Sequence, residues 1–228
     1  MRVSTGTDGL DTLLNGGLPK HRLYVISGPP GSGKTTLSAQ FITEGVQNNE
    51  KCLYLTMHET GSELANDMAS FDFGFEQAIQ TPNLRFMNIL STDIQQVLQQ
   101  HGREPGLANR VAAFIEAFDI DRAVIDSTML LQHFLDDPSA ELTEFITSLK
   151  QVDATILLIS EMTDPSSYSE EHYLAHGVIF LHNFLDGSGM TRAIHLIKMR
   201  GTAIDCDMRK LTFTDQGLAV HPGTRVNR

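Results

Sequence analysis

The chain has 228 residues, with 17 Lys and Arg against 28 Asp and Glu, and a formal charge of −11. That length can bury a substantial core, and the acidic balance argues against a nucleic-acid coat or a membrane-surface binder. Cys52 and Cys206 are too few for a disulfide framework and form no C-x-x-C pair, which points to a reducing cytoplasm.

Residues 1–6 lack the apolar segment of a signal peptide, and no run approaches the ~18 apolar residues of a membrane span. Residues 23–27 (Leu-Tyr-Val-Ile-Ser) suit a buried strand. Gly28-Pro29-Pro30-Gly31-Ser32-Gly33-Lys34-Thr35 follows and reads G-x-x-x-x-G-K-T. A helix is expected over 36–48, with Leu37, Phe41 and Val46 at helical spacing. Residues 52–57 form a second apolar strand. Thr60-Gly61-Ser62-Glu63 has capping-box spacing and opens a helix carrying Leu64, Met68 and Phe71. Strand 84–90, helix 108–118 and strand 123–126 come next, the last ending in Asp126. Asp137-Pro138 starts a helix with Leu142, Phe145, Ile146 and Leu149 on one stripe. Residues 155–160 are a further apolar strand, and the polar stretch 164–176 reads as a mobile loop. Two hairpins close the chain, one turning at Asp186-Gly187-Ser188-Gly189 and one at Asp215-Gln216-Gly217. No repeat or low-complexity linker divides residues 1–228, so one domain is expected.

Apolar strands alternating with amphipathic helices imply an α/β fold, a mostly parallel sheet covered on both faces. Ligands of such sheets bind outside the carboxyl ends of the strands. There the Gly28–Thr35 loop, His58-Glu59, Asp126-Ser127 and Ser160-Glu161 all fall. Glycines let backbone amides turn toward phosphate oxygens, and the next helix adds its positive end. In this reading Gly28, Pro29, Pro30, Gly31, Ser32, Gly33, Lys34, Thr35 and Thr36 cradle a nucleoside triphosphate. Lys34 reaches the β- and γ-phosphates, and the Thr35 hydroxyl sits on Mg²⁺. Asp126 is the candidate second holder of Mg²⁺, against the alternative of a turn aspartate. Glu59 is the candidate for orienting and deprotonating the attacking water, against a solvated loop residue, with His58 assisting it or idle. Ser160 and Glu161 either sense the γ-phosphate or merely end their strand. Lys198 and Arg200, two apart on a predicted strand, either meet a triphosphate as an arginine finger does or blunt a sheet edge.

These residues together resemble a known group, the KaiC-like branch of the RecA-like P-loop ATPases. Ser4-Thr5-Gly6-Thr7-Asp8-Gly9-Leu10-Asp11 and Asn15-Gly16-Gly17-Leu18-Pro19 are similar to that family's lead-in to its phosphate loop. Residues 54–60 resemble its strand ending in paired glutamates, and Val124-Ile125-Asp126-Ser127 its Walker B segment. Ile197-Lys198-Met199-Arg200-Gly201-Thr202 resembles its K-x-R-G-T strand, and residues 213–218 its closing hairpin. The resemblance implies a RecA-like core, assembly into homo-oligomeric rings, commonly hexamers, with ATP between subunits, and slow hydrolysis serving regulation or signalling. It also implies that Lys198 and Arg200 reach ATP on the neighbouring subunit. Two positions depart from the family pattern. His58 replaces the first glutamate, the family's usual base, and Ile204 stands where a histidine often follows R-G-T.

The leading expectation is an ATP- and Mg²⁺-dependent, slowly hydrolysing oligomeric switch with a protein signalling partner. An ATP-binding scaffold that hydrolyses little is the alternative that His58 motivates. A recombinase-type accessory ATPase on DNA is a third, opposed by the acidic charge and by the lack of an added DNA-binding domain.

Overall fold

The computed structural model describes residues 1–57, 59–89, 107–128, 138–162, 164, 166–187 and 189–227. The apolar runs form β3 (Leu23–Gly28), β4 (Cys52–Thr56), β6 (Arg122–Asp126) and β7 (Thr155–Glu161), joined by β5 (Leu84–Asn88) and β8 (Gly177–Asp186). These six run parallel, in the order β8-β3-β7-β6-β4-β5. Beyond β8 the sheet continues antiparallel through β9 (Gly189–Met199), β10 (Arg209–Thr214) and β11 (Gly217–Arg225). A separate two-stranded sheet pairs β1 (Arg2–Val3) with β2 (Leu18–Pro19), with helix α1 (Leu10–Leu13) between them in sequence.

Strand periodicity divides the core in two. Tyr24, Ile26, Tyr54 and Val124 face one side, where α2 (Lys34–Gln47) contributes Leu37 and Phe41. Leu23, Val25, Leu55 and Ile125 face the other, under α5 (Leu107–Ala117) and α6 (Pro138–Leu149). Side chains buried on both faces explain why these strands read as unbroken apolar runs. Arg122 is 1% exposed: it pairs with Glu50 and donates from Nη1 to Ser4 O (2.7 Å) and Phe41 O (3.2 Å). The amino-terminal segment is thereby fastened to α2.

Thr60 caps α3 (Gly61–Met68) with the expected reciprocal box to Glu63, but the helix stops before Phe71. The short α4 (Phe75–Ile79) follows. Two expectations are corrected. The stretch 164–176 contains helix α7 (Glu170–Leu174), whose Glu171 and His172 are buried. Its polar composition reads as loop because the hydroxyls that receive those side chains come from distant strands. Arg200 lies one residue past the end of β9, and the β8–β9 register shifts between Val178 and Ile179, opposite Lys198 and Leu196. Lys198 and Arg200 are therefore not both on the strand predicted to carry them. His58 and Asp137 lie outside the described residues.

Candidate nucleotide-binding site

The sheet register brings the candidates to one edge. Gly28 pairs with Glu161 and Ser27 with Ser160 across β3 and β7, while Thr56 pairs with Asp126 across β4 and β6. From this edge the loop leaves β3 and enters α2. At Gly28 φ is 152°, and an added Cβ would lie 2.3 Å from Leu181 O and 2.8 Å from Ser32 Oγ, so no side chain fits there. Gly33 is the N-cap of α2 in the left-handed region, and its missing Cβ leaves room for Leu218. No side chain caps α2, and its first backbone bond runs from Leu37 N–H to Gly33 O (2.9 Å). The amides ahead of Leu37 therefore face the loop, where an anion satisfies them and meets the helix dipole.

Lys34 is 9% exposed, and its ammonium donates to Gly28 O (2.8 Å) and Pro29 O (3.1 Å). Burial pulls its pKa below the usual lysine range, opposed by the nearby carboxylates of Glu161 and Asp126. Lys34, Asp126 and Glu161 thus share one electrostatic environment. Tyr54 OH donates to Asp126 Oδ2 (3.3 Å), and its own proton is held firmly by burial and by the charges of Asp126 and Glu59. Asn88 Nδ2 donates to Glu59 O (3.2 Å), seating Glu59 at the same edge.

A polyphosphate and a divalent cation fit this arrangement. Ser32 Oγ is buried and makes no hydrogen bond to any described residue, a polar atom left inside the cradle. Thr35 stands in the first turn of the helix beside it, and Asp126 could offer a hard oxygen ligand of the kind Mg²⁺ prefers.

Ser160 is turned elsewhere, donating to Glu171 Oε1 (2.7 Å) on α7, whereas Glu161 ends β7 exposed at the edge. Lys198 and Arg200 are not brought to this loop. Lys198 pairs with Val178 and Met199 with Gly177, level with Tyr24 at the start of β3. The loop departs from the other end, about 13 Å of strand away. Lys198 Nζ donates to His172 O (3.1 Å) and Tyr173 O (2.9 Å), and Arg22 Nη1 donates to Arg200 O (2.6 Å). Ile204, the second departure from the family pattern, packs against the α2-side core.

Further braces of the loop come from residues to which the sequence reading gave no role in the site. Asn183 Nδ2 donates to Pro30 O (3.3 Å) and Arg192 Nε to Gly31 O (3.1 Å). The Arg192 guanidinium lies 4.9 Å over the ring of Phe213, which with Leu218 flanks Gly33. Gln40 ties this hairpin to α2, accepting from Leu218 N and donating to Leu218 O. Phe213 and Leu218 stand in a recognisable hairpin motif. Asn183 and Arg192 carry no local signal, since only the β8–β9 register delivers them to the loop.

Comparison with known proteins agrees with this geometry. The family described as "ATPase: KaiC" matches residues 3–225. The circadian clock oscillator protein KaiC of Parathermosynechococcus lividus is 28% identical over 97% of this chain, which covers 42% of that protein. The KaiC of Synechococcus elongatus is 26% identical over 97% of the chain and 44% of its own length. The chain therefore spans less than half the length of the curated relatives it matches. A crystal structure of a KaiC-like protein from the hyperthermophilic archaeon Pyrococcus horikoshii OT3 superposes with a TM-score of 0.82 at 26% identity. That match covers 97% of this chain and 99% of the other. With its mostly parallel sheet, antiparallel carboxyl-terminal strands and glycine loop, the chain belongs to the KaiC family of ATPases, as a domain of the RecA-like fold.

Proposed function

We propose that residues 1–228 act as one unit that binds ATP with Mg²⁺ and hydrolyses it slowly, as an oligomeric regulatory switch in the cytoplasm. The observation that carries this reading is the convergence of the Gly28–Thr35 loop, Lys34, Asp126 and Glu161 at one sheet edge. The loop amides and Lys34 bind the phosphates, with Arg192 and Asn183 keeping the loop in shape. Thr35 and Asp126 hold Mg²⁺, which offsets charge on the transferred phosphoryl group. Glu59 orients the attacking water and accepts its proton, in place of the family's first glutamate, where this chain has His58.

Distance supports a subunit exchange of catalytic groups. Lys198 and Arg200 stand at the far end of their own sheet, so they serve a triphosphate only across an interface, in a closed head-to-tail ring such as a hexamer. One observation favours a second reading, an ATP-binding scaffold with little turnover: a histidine occupies the position of the usual base.

ATP·Mg²⁺ titration and phosphate release by wild type, Lys34→Ala and Glu59→Gln decide between them. Losing the ammonium's charge-assisted bonds is expected to weaken ATP binding about 100-fold. Glu59→Gln is expected to retain binding and lose hydrolysis. If wild type binds ATP yet releases no more phosphate than Lys34→Ala, the scaffold reading stands. If wild type does not bind ATP, both readings fail.

A further inference from the structure

Helix α7 touches both ends of the arrangement just described. His172 is 3% exposed, and its Nδ1 lies 3.2 Å from the amide nitrogen of Ser169 and 2.8 Å from Ser169 Oγ. An amide N–H only donates, so Nδ1 accepts and the neutral ring carries its proton on Nε2. Nε2–H then donates to Ser27 Oγ at 2.7 Å. Ser27 immediately precedes Gly28, whose carbonyl accepts from Lys34. Beside it Glu171, 4% exposed, accepts from Ser160 Oγ, one residue ahead of Glu161.

The backbone end of α7 points at the cationic corner. Lys198 Nζ donates to the carbonyls of His172 and Tyr173, and Lys150 Nζ to that of Leu174 (2.9 Å). Three successive carbonyls at a helix carboxyl terminus are thus held by two ammonium groups, the sign that the helix dipole favours. His172 belongs to both sets, with its ring toward the loop and its carbonyl toward Lys198. Packing alone does not demand this, because an apolar pair of the same shape in place of Ser27 and His172 would fill the space at little cost. A buried, directional bond fixes the helix in one position relative to the loop.

We propose that His172 is a positioning residue that couples the phosphate loop of each subunit to the Lys198–Arg200 corner the same subunit offers its neighbour. The inference rests on the reading that this corner serves the neighbouring nucleotide. When the loop closes on a polyphosphate, Lys34 and Gly28 shift together, and Ser27 moves with them. The 2.7 Å bond passes that movement to His172, whose carbonyl sets the position of the Lys198 ammonium. Occupancy of one site thereby changes the corner presented to the next.

Hydrogen exchange at residues 196–200, with and without ATP·Mg²⁺, tests the coupling in wild type, His172→Phe, His172→Gln and Ser27→Ala. Lost stability alone would speed exchange in a variant equally with and without nucleotide, so the ATP-dependent difference is the readout. Wild type is expected to show a difference of about fivefold, the low end of typical coupling free energies. His172→Phe and Ser27→Ala should bind ATP, checked by titration, yet lose that difference, and His172→Gln, which keeps a donor near Nε2, should restore it. Should His172→Phe fail to fold, Ser27→Ala carries the same decision. A difference in the variants as large as in wild type overturns the proposal, and so does bound ATP with no difference in wild type. Absence of ATP binding overturns it together with the function above. Particle mass in the same samples separates the readings: a monomer's mass with and without ATP, with exchange still coupled through His172, removes the neighbour's role and leaves the coupling.

Discussion

The phosphate-loop edge of the parallel sheet and the corner where β8 begins and β9 ends hold their charges differently. At the carboxyl end a single buried lysine, Lys34, sits between Glu161 and Asp126 within reach of their charges. At that corner Lys150, Arg22 and Arg200 gather around His176, and Lys198 lies within reach of Arg200 and Lys150, on a protein whose formal charge is −11. Lys198 is pulled below the usual lysine range first by burial and then by Arg200 and Lys150. Like charges collected in one place raise the energy of an isolated chain, and an anionic partner relieves it. In the function proposed above, the loop binds a triphosphate within the subunit and the cationic corner meets one outside it.

The largest expected effect comes from dismantling the cationic end. Lys198→Ala with Arg200→Ala leaves the loop intact, so ATP affinity measured by titration should stay within about threefold of wild type. Phosphate release should fall about 10³-fold, the lower range for an arginine finger. Release unchanged beside unchanged binding would show that the corner does not act on a nucleotide, and the comparison of ends would reduce to a solvated cluster.

A smaller effect sharpens the account of the loop end. Arg192 touches the loop through one bond to Gly31 O and stacks on Phe213. Removing a charge-assisted bond and a cation–π contact should weaken ATP binding about tenfold for Arg192→Ala. Arg192→Lys keeps the charge but loses the planar fork, and should recover only part of that loss. Equal binding by all three proteins would mean that the loop holds its shape without this brace.

The two ends were not equally legible in the sequence. The loop end lies in a contiguous motif between an apolar strand and a helix, and the unbroken apolar runs ahead of Asp126 and Glu161 made them readable at strand termini. Lys198 and Arg200 were found as a pair by motif, but only Lys198 lies on the predicted strand, because β9 ends at Met199. Helix α7 was hidden for a different reason. Its buried side chains are polar, and what makes burial tolerable is a serine hydroxyl 145 residues away for His172. Hydrophobic periodicity carries no trace of such a bond. Arg192 and Asn183 were missed because strand register, fixed by the whole sheet, is what delivers them to the loop.

Acidification should affect both ends through two histidines, with the smallest effect of the set. His172 and His176 both titrate below the ordinary histidine value of 6.5, chiefly because burial disfavours the charged ring. Lys150, Arg22 and Arg200 push His176 further down, whereas Glu171 partly offsets the shift at His172 and Lys198 adds to it. Each Nδ1 also accepts a backbone N–H, from Ser169 for His172 and from Leu23 for His176, and protonation there would break that bond. A lowered folded pKa means that the unfolded chain takes up protons first as the pH drops. The stability these rings contribute is therefore complete above about pH 6.5 and declines below it, by at most about 1.4 kcal/mol per pH unit for each ring. Thermal melts from pH 7.5 to 5.5 should show a falling midpoint. His172→Gln should flatten the part of that slope due to His172 and leave the part due to His176. A slope unaltered by the substitution would place the acid sensitivity elsewhere and show that the ring of His172 is not the buried neutral group its hydrogen bonds describe.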